Sequence, residues 1–137
     1  LALQNAIKRG HQVICNTNQY NYLNYTLTPW ANYDKNRSFD MKIAYQENKS
    51  DLMNPDDLVL GIGASLWTDW YVLESMVDQR VFPRILALTE QMWHKGSRLD
   101  FEEFYNKVKE KQPLMKVMGI DYGPALLEEV PEGYKWD

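Results

Sequence analysis

Apolar positions change period several times along the chain. Leu3, Ala6 and Ile7 share a helical face, with Lys8 and Arg9 in the last turn and Gly10 where a C-cap belongs. With no N-cap ahead of this face, the chain is expected to begin inside a helix. His11–Asn16 reads as a short strand. Residues 17–36 are rich in Asn, Thr and aromatics and contain Pro29, which predicts a long loop. A short helix fits within Phe39–Ser50, and Asn54-Pro55-Asp56-Asp57 is a turn feeding the apolar run that opens at Leu58. Val72, Leu73, Met76, Val77 and Val81 then recur at helical spacing, and Ile85, Leu88 and Met92 continue it. Pro83 between them should kink or restart the helix. Asp100 with Glu103 resembles a capping box that starts a helix to about Lys111. Pro113 is expected to close that helix, with a short helical turn to Val117, a break at Gly119–Gly123 and an acidic surface arm from Glu128.

This order predicts an α/β fold. The strands lie a crossover length apart, so they should be parallel, and one such pair does not make a stable sheet alone. About two parallel strands plus helices suit the C-terminal portion of a TIM (β/α)8 barrel, with residues 1–96 its last strands and helices and 97–137 a helical extension and tail. In that fold ligands sit at the C-terminal ends of strands. The aromatic-rich stretch with Tyr20, Tyr22, Tyr25, Trp30 and Tyr33 follows one strand end. It reads as a binding surface, or else as a core satellite under a loop.

The second strand end carries the more suggestive chemistry. Leu58-Val59-Leu60-Gly61-Ile62 is followed by loss of side-chain bulk at Gly63, Ala64 and Ser65, and then by Trp67, Asp69 and Trp70. Glycines weaken a strand, so close approach of a backbone or a ligand is expected there. An indole beside a carboxylate suits a sugar ring, whose C–H face packs on the aromatic while its hydroxyls donate to the acid. The plain alternative is a core strand whose tryptophans only pack.

Composition narrows the classes. A chain of 137 residues with 45% hydrophobic and 25% charged side chains is ordinary for a globular protein. A formal charge of −4 and no basic stripe argue against a nucleic-acid partner. No apolar run is long enough to cross a bilayer and no signal segment is visible, so no membrane partner is expected and the compartment stays unassigned. One cysteine and two histidines leave no disulfide framework and no zinc cluster, and no cofactor is expected. Sequon triplets begin at Asn24, Asn36 and Asn48, a pattern that often arises by chance.

Five motifs in order carry a family resemblance: Tyr22-Leu23-Asn24, Trp30 after a proline-containing loop, Leu58-Val59-Leu60-Gly61 with Trp67-Thr68-Asp69, Arg80-Val81-Phe82-Pro83-Arg84, and Glu90-Gln91-Met92-Trp93. From about His11 to Trp93 the chain resembles the C-terminal part of the β-N-acetylhexosaminidases of glycoside hydrolase family 20. The resemblance implies a retaining exo-glycosidase acting on terminal β-linked N-acetylhexosamine of an oligosaccharide or glycoconjugate. In such enzymes the substrate's acetamido oxygen attacks the anomeric carbon, and an Asp-Glu pair supplies orientation and acid/base chemistry. No Asp-Glu dipeptide occurs in this sequence, so the chain alone is expected to be inactive. The resemblance further implies that Tyr22 donates to the acetamido oxygen, that Asn24 contacts outer hydroxyls, and that Trp67 forms a wall of the pocket. Asp69 would bond the 4- and 6-hydroxyls, although the family usually has the longer Glu there. Trp30 would line the entrance, Arg80, Arg84 and Glu90 would brace the last helix through ion pairs, and Trp93 would be core. Exposed barrel edges would favour self-association. A stand-alone carbohydrate-binding module stacking sugars on Tyr22, Trp30, Trp67 and Trp70, or a helical interaction domain, remains open at this point.

Overall fold

The computed structural model describes residues 2–27, 38–47, 58–68, 72–94 and 97–134. Helix α1 (Ala2–Lys8) stops as expected at Gly10, whose φ of 77° suits a residue without a Cβ. Gly10 N–H donates to Ile7 O at 2.8 Å and His11 N–H to Ala6 O at 3.1 Å, the paired bonds of a Schellman stop. The chain then enters β1 (Val13–Cys15), which pairs in parallel with β2 (Val59–Ile62). Val13 lies opposite Val59, Ile14 opposite Gly61 and Cys15 opposite Ile62, with an irregularity after Val13. Beyond the strands proper, a further parallel bridge joins Tyr22 to Ser65.

The expected long loop contains a one-turn helix, α2 (Asn18–Asn21), that periodicity does not reveal because four residues give no repeat. Helix α3 (Met41–Gln46) starts on Asp40, whose carboxylate accepts from Ile43 N–H at 2.9 Å. Helices α4 (Glu74–Val81) and α5 (Arg84–Trp93) are separate segments around Pro83, as the proline predicts. Helix α6 (Phe101–Val117) begins on Asp100, whose side chain accepts from Glu103 N–H at 2.9 Å.

Pro113 does not end α6, contrary to expectation; the helix runs through it. Phe101, Phe104, Val108 and Met115 form one buried stripe on both sides of the proline, and Pro113 itself faces solvent. Burial of such side chains gives about 1.5–3 kcal/mol each, enough to outweigh one lost helical hydrogen bond.

The core lies among α3, α5 and α6. Tyr45 stacks on Phe104 at 4.3 Å and donates to Leu99 O at 2.8 Å. Leu23, Tyr25 and Phe39 from the site loop, Ala87 and Leu88 from α5, and Ala125 and Leu126 from the tail join the same cluster. Residues on both sides of position 96 therefore share one core. The tail is also less of an arm than expected. Tyr134 Oη donates to Gln79 Oε1 at 2.7 Å, and a short 3-10 turn (Leu127–Glu129) is held by Glu129 accepting from Ala125 N–H at 2.8 Å. Trp93, expected in the core, is 84% exposed at the end of α5.

Candidate functional site

Because β1 and β2 are parallel, both chains leave the sheet at the same edge, and the backbone continues to pair there. Gly63 N–H donates to Cys15 O at 2.8 Å, Ser65 N–H to Asn21 O at 2.9 Å, and Leu23 N–H to Ser65 O at 2.8 Å. Side chains reinforce the junction. Asn21 Nδ2 donates to Cys15 O at 3.0 Å and Asn16 Nδ2 to Ser65 Oγ at 3.2 Å. A Cβ at Gly63 would lie 3.4 Å from Asn16 Cγ, an ordinary contact with a side chain, and one at Gly61 would face open space, so no backbone approaches either glycine as closely as anticipated.

These bonds enclose an open cavity of about 340 Å³ lined by Asn16, Thr17, Asn18, Tyr22, Ser65 and Trp67. Tyr22 is half-buried and meets Tyr25 edge to face at 5.5 Å, which fixes its ring. Trp67 is 61% exposed, so a large apolar face stands beside hydroxyl and amide groups. That combination suits a small polar ring with one C–H face. None of the described lining residues is a carboxylate, so the lining residues offer binding and polarisation and no general acid. Among the described residues no group of three or more His, Cys, Asp or Glu could hold a metal ion, and no helix is long and apolar enough to cross a membrane.

The expected site residues divide. Tyr22 and Trp67 come together in the cavity. Trp30 and Asp69 lie outside the described residues, as does Trp70. Asn24 is fully buried, accepts from Trp67 N–H through Oδ1 at 2.7 Å, and donates from Nδ2 to Trp67 O at 2.8 Å. Burial also closes the Asn24 sequon to modification in the folded chain. Asn16, Thr17 and Asn18 were not singled out in the sequence, and Ser65 was noted only for its small side chain. Their signal was a run of small polar residues just past each strand.

Arg80 and Arg84 act on the same segment. Both are buried and donate to main-chain oxygens of the segment that carries Tyr22 and Asn24, a role the sequence reading did not include. Arg84 reaches Leu23 O at 2.8 Å, Phe39 O at 2.9 Å and Tyr25 O, while Arg80 Nη1 reaches Asn24 O at 3.1 Å. Burial first, and the neighbouring Arg80 second, push the Arg84 guanidinium down to about 9. Glu90 lies 3.4 Å from His94, one turn along α5.

The model of glycosyl hydrolase family 20, catalytic domain, matches residues 1–96. A β-hexosaminidase of Porphyromonas gingivalis is 30% identical over 71 residues, covering 52% of this chain and 9% of that protein. The crystal structure of a β-N-acetylhexosaminidase from Bacteroides fragilis superposes with a TM-score of 0.90 at 50% identity, over 99% of this chain and 28% of that one. An exo-β-N-acetylglucosaminidase from Vibrio harveyi, solved with N-acetylglucosamine, shares the fold at a TM-score of 0.72 and 22% identity over 90% of this chain. The chain thus spans well under two thirds of these relatives. Its two parallel strands and their helices are part of a TIM barrel of this kind.

Proposed function

The chain belongs to glycosyl hydrolase family 20, and from that premise we propose that it forms the sugar-holding part of a retaining exo-β-N-acetylhexosaminidase. The substrate is an oligosaccharide or glycoconjugate ending in β-linked N-acetylglucosamine or N-acetylgalactosamine. Its acetamido oxygen is the nucleophile, Tyr22 donates a hydrogen bond to that oxygen as charge develops on it, and the Trp67 indole walls the ring. Trp30 and Asp69 keep their proposed places at the entrance and at the outer hydroxyls. Residues 1–96 act as the barrel portion and 97–137 as a helical brace. The observation that carries this reading is the meeting of Tyr22 and Trp67, from the ends of two different strands, in one cavity.

The sequence holds no Asp-Glu dipeptide, so the acid/base pair comes from outside these 137 residues and the chain by itself cleaves nothing. The test exchanges this segment for its counterpart in the Bacteroides enzyme and follows a chromogenic β-N-acetylglucosaminide. The exchanged enzyme should turn over, the 137-residue chain alone should not, and Tyr22→Phe should lower kcat by about 100-fold, as loss of a transition-state donor does. An unchanged kcat for Tyr22→Phe would remove the proposed donor role. An inert exchanged enzyme, with chitin oligomers bound by the chain alone, would favour a carbohydrate-binding module instead.

A further inference from the structure

We propose that Gln79 is a positioning residue for Tyr22: it latches residues 121–134 to α4, and that latch sets the place of the Tyr22 hydroxyl through Arg80 and Arg84. The inference rests on the glycosidase reading of the cavity and extends it to a segment far from the cavity along the chain. The stretch from Asp78 to Arg84 is gripped from two sides. On one side Gln79 Nε2 donates to Asp121 Oδ2 at 2.8 Å, and Gln79 Oε1 accepts from Tyr134 Oη at 2.7 Å. Asp121 N–H donates to Asp78 Oδ2 at 3.3 Å, and Gly123 N–H to Phe82 O at 3.1 Å. On the other side Arg80 Nη1 donates to Asn24 O at 3.1 Å, and Arg84 donates to Leu23 O at 2.8 Å and to Tyr25 O.

The two grips alternate along this stretch. Gln79 and Arg80 are neighbours in one helix, so a displacement of the Gln79 backbone carries the Arg80 guanidinium with it. Arg84 is tied to the same point, because its Nε donates to Arg80 O at 3.0 Å. An amide serves both tail partners at once, donating to the Asp121 carboxylate and accepting from the Tyr134 hydroxyl. At the far end of the path, the carbonyls that the arginines hold belong to the residues directly after Tyr22. A hydroxyl that polarises an acetamido oxygen works only at hydrogen-bond distance, and a misplacement of about 1 Å costs up to about 100-fold in rate.

The test uses the exchanged enzyme with Gln79→Glu, assayed on the chromogenic β-N-acetylglucosaminide well below its thermal midpoint. The new carboxylate faces that of Asp121 and opens the latch at unchanged side-chain length. The kcat should fall by about 10-fold with KM unaltered, because the Tyr22 bond strengthens only as charge develops. The loss should stay below the about 100-fold of Tyr22→Phe. In a Tyr22→Phe background Gln79→Glu should lower kcat no further, since both changes act through one hydroxyl. Val108→Ala, at a core position of α6, should lower the thermal midpoint and leave kcat as it was. Tyr134→Phe removes a single donor and carries the test if Gln79→Glu does not fold. An unchanged kcat, a loss that adds to that of Tyr22→Phe, or an equal loss in Val108→Ala would overturn the proposal. If the unmutated exchanged enzyme cleaves nothing, the glycosidase reading fails by itself, and hydrogen exchange at the Leu23 and Tyr25 amides still decides whether the latch exists. That exchange should accelerate in Gln79→Glu while the α6 amides keep their rates, and unaltered exchange would dismiss the latch.

Discussion

A guanidinium with several fixed donors can tie one buried position to several carbonyls, and Arg84 does this for Leu23, Tyr25 and Phe39. A lysine has donors but no planar fork. Arg84→Lys should therefore leave carbonyls buried without partners, at about 1–3 kcal/mol each, and lower the thermal midpoint of the exchanged enzyme measured by calorimetry. The arginines were visible in the sequence, but the main-chain oxygens they hold were not. Charge alone does not distinguish a carboxylate partner from a cluster of main-chain oxygens, and only the folded loop presents those oxygens together. Tyr45 offers a pH prediction of known sign. Burial first, then Glu90, raises it above its ordinary value of 10.0, so the folded state holds this proton more tightly than the unfolded chain. Its contribution to stability is present below about pH 10 and is lost as pH rises through the raised folded value. Tyr45→Phe should accordingly flatten the alkaline loss seen in urea titrations across that range.

At the level of elements, two positions in the C-terminal third show how context decides. A Cβ on Gly123 would lie 2.5 Å from Gln79 O, a backbone atom of α4 that cannot step aside. Gly123 N–H also donates to Phe82 O at 3.1 Å, so the tail is held close at this point. Gly123→Ala should destabilise the exchanged enzyme by about 1–3 kcal/mol in denaturant titrations, the usual scale of overpacking. Pro113 is the converse case. It sits on the solvent side of a helix whose apolar stripe runs past it, so Pro113→Ala should restore a helical donor and stabilise by up to about 3 kcal/mol in the same titration. Local rules read the helix start at Asp100, the stop at Gly10 and the break at Pro83 correctly, because a cap or a ring constraint acts within one turn. They misjudged Pro113, whose tolerance depends on what Phe104, Val108 and Met115 pack against.

On the scale of the whole molecule, the two-stranded sheet of the described residues leaves Ile14 66% and Leu60 60% exposed, and Trp93 is 84% exposed at the end of α5. Two strands are too few for an independent sheet, and apolar flanks of this kind invite pairing. The 137-residue chain by itself should sediment as a mixture of associated species, whereas the same segment within the Bacteroides enzyme should not add association; a monodisperse monomer of the isolated chain would count against this. The sequence by itself determined the kinds of elements, the parallel pairing expected from crossover-length connections, and the candidate Trp67, because hydrophobic period, caps and residue chemistry are local properties; Tyr22 became a candidate through the family resemblance of its motif. Tertiary structure alone decided that Tyr22 and Trp67 line one cavity, that Asn24 turns inward to the Trp67 backbone, and that two arginines hold the loop beneath them. Those outcomes depend on where parallel strand ends bring distant main-chain groups together, which no local spacing specifies.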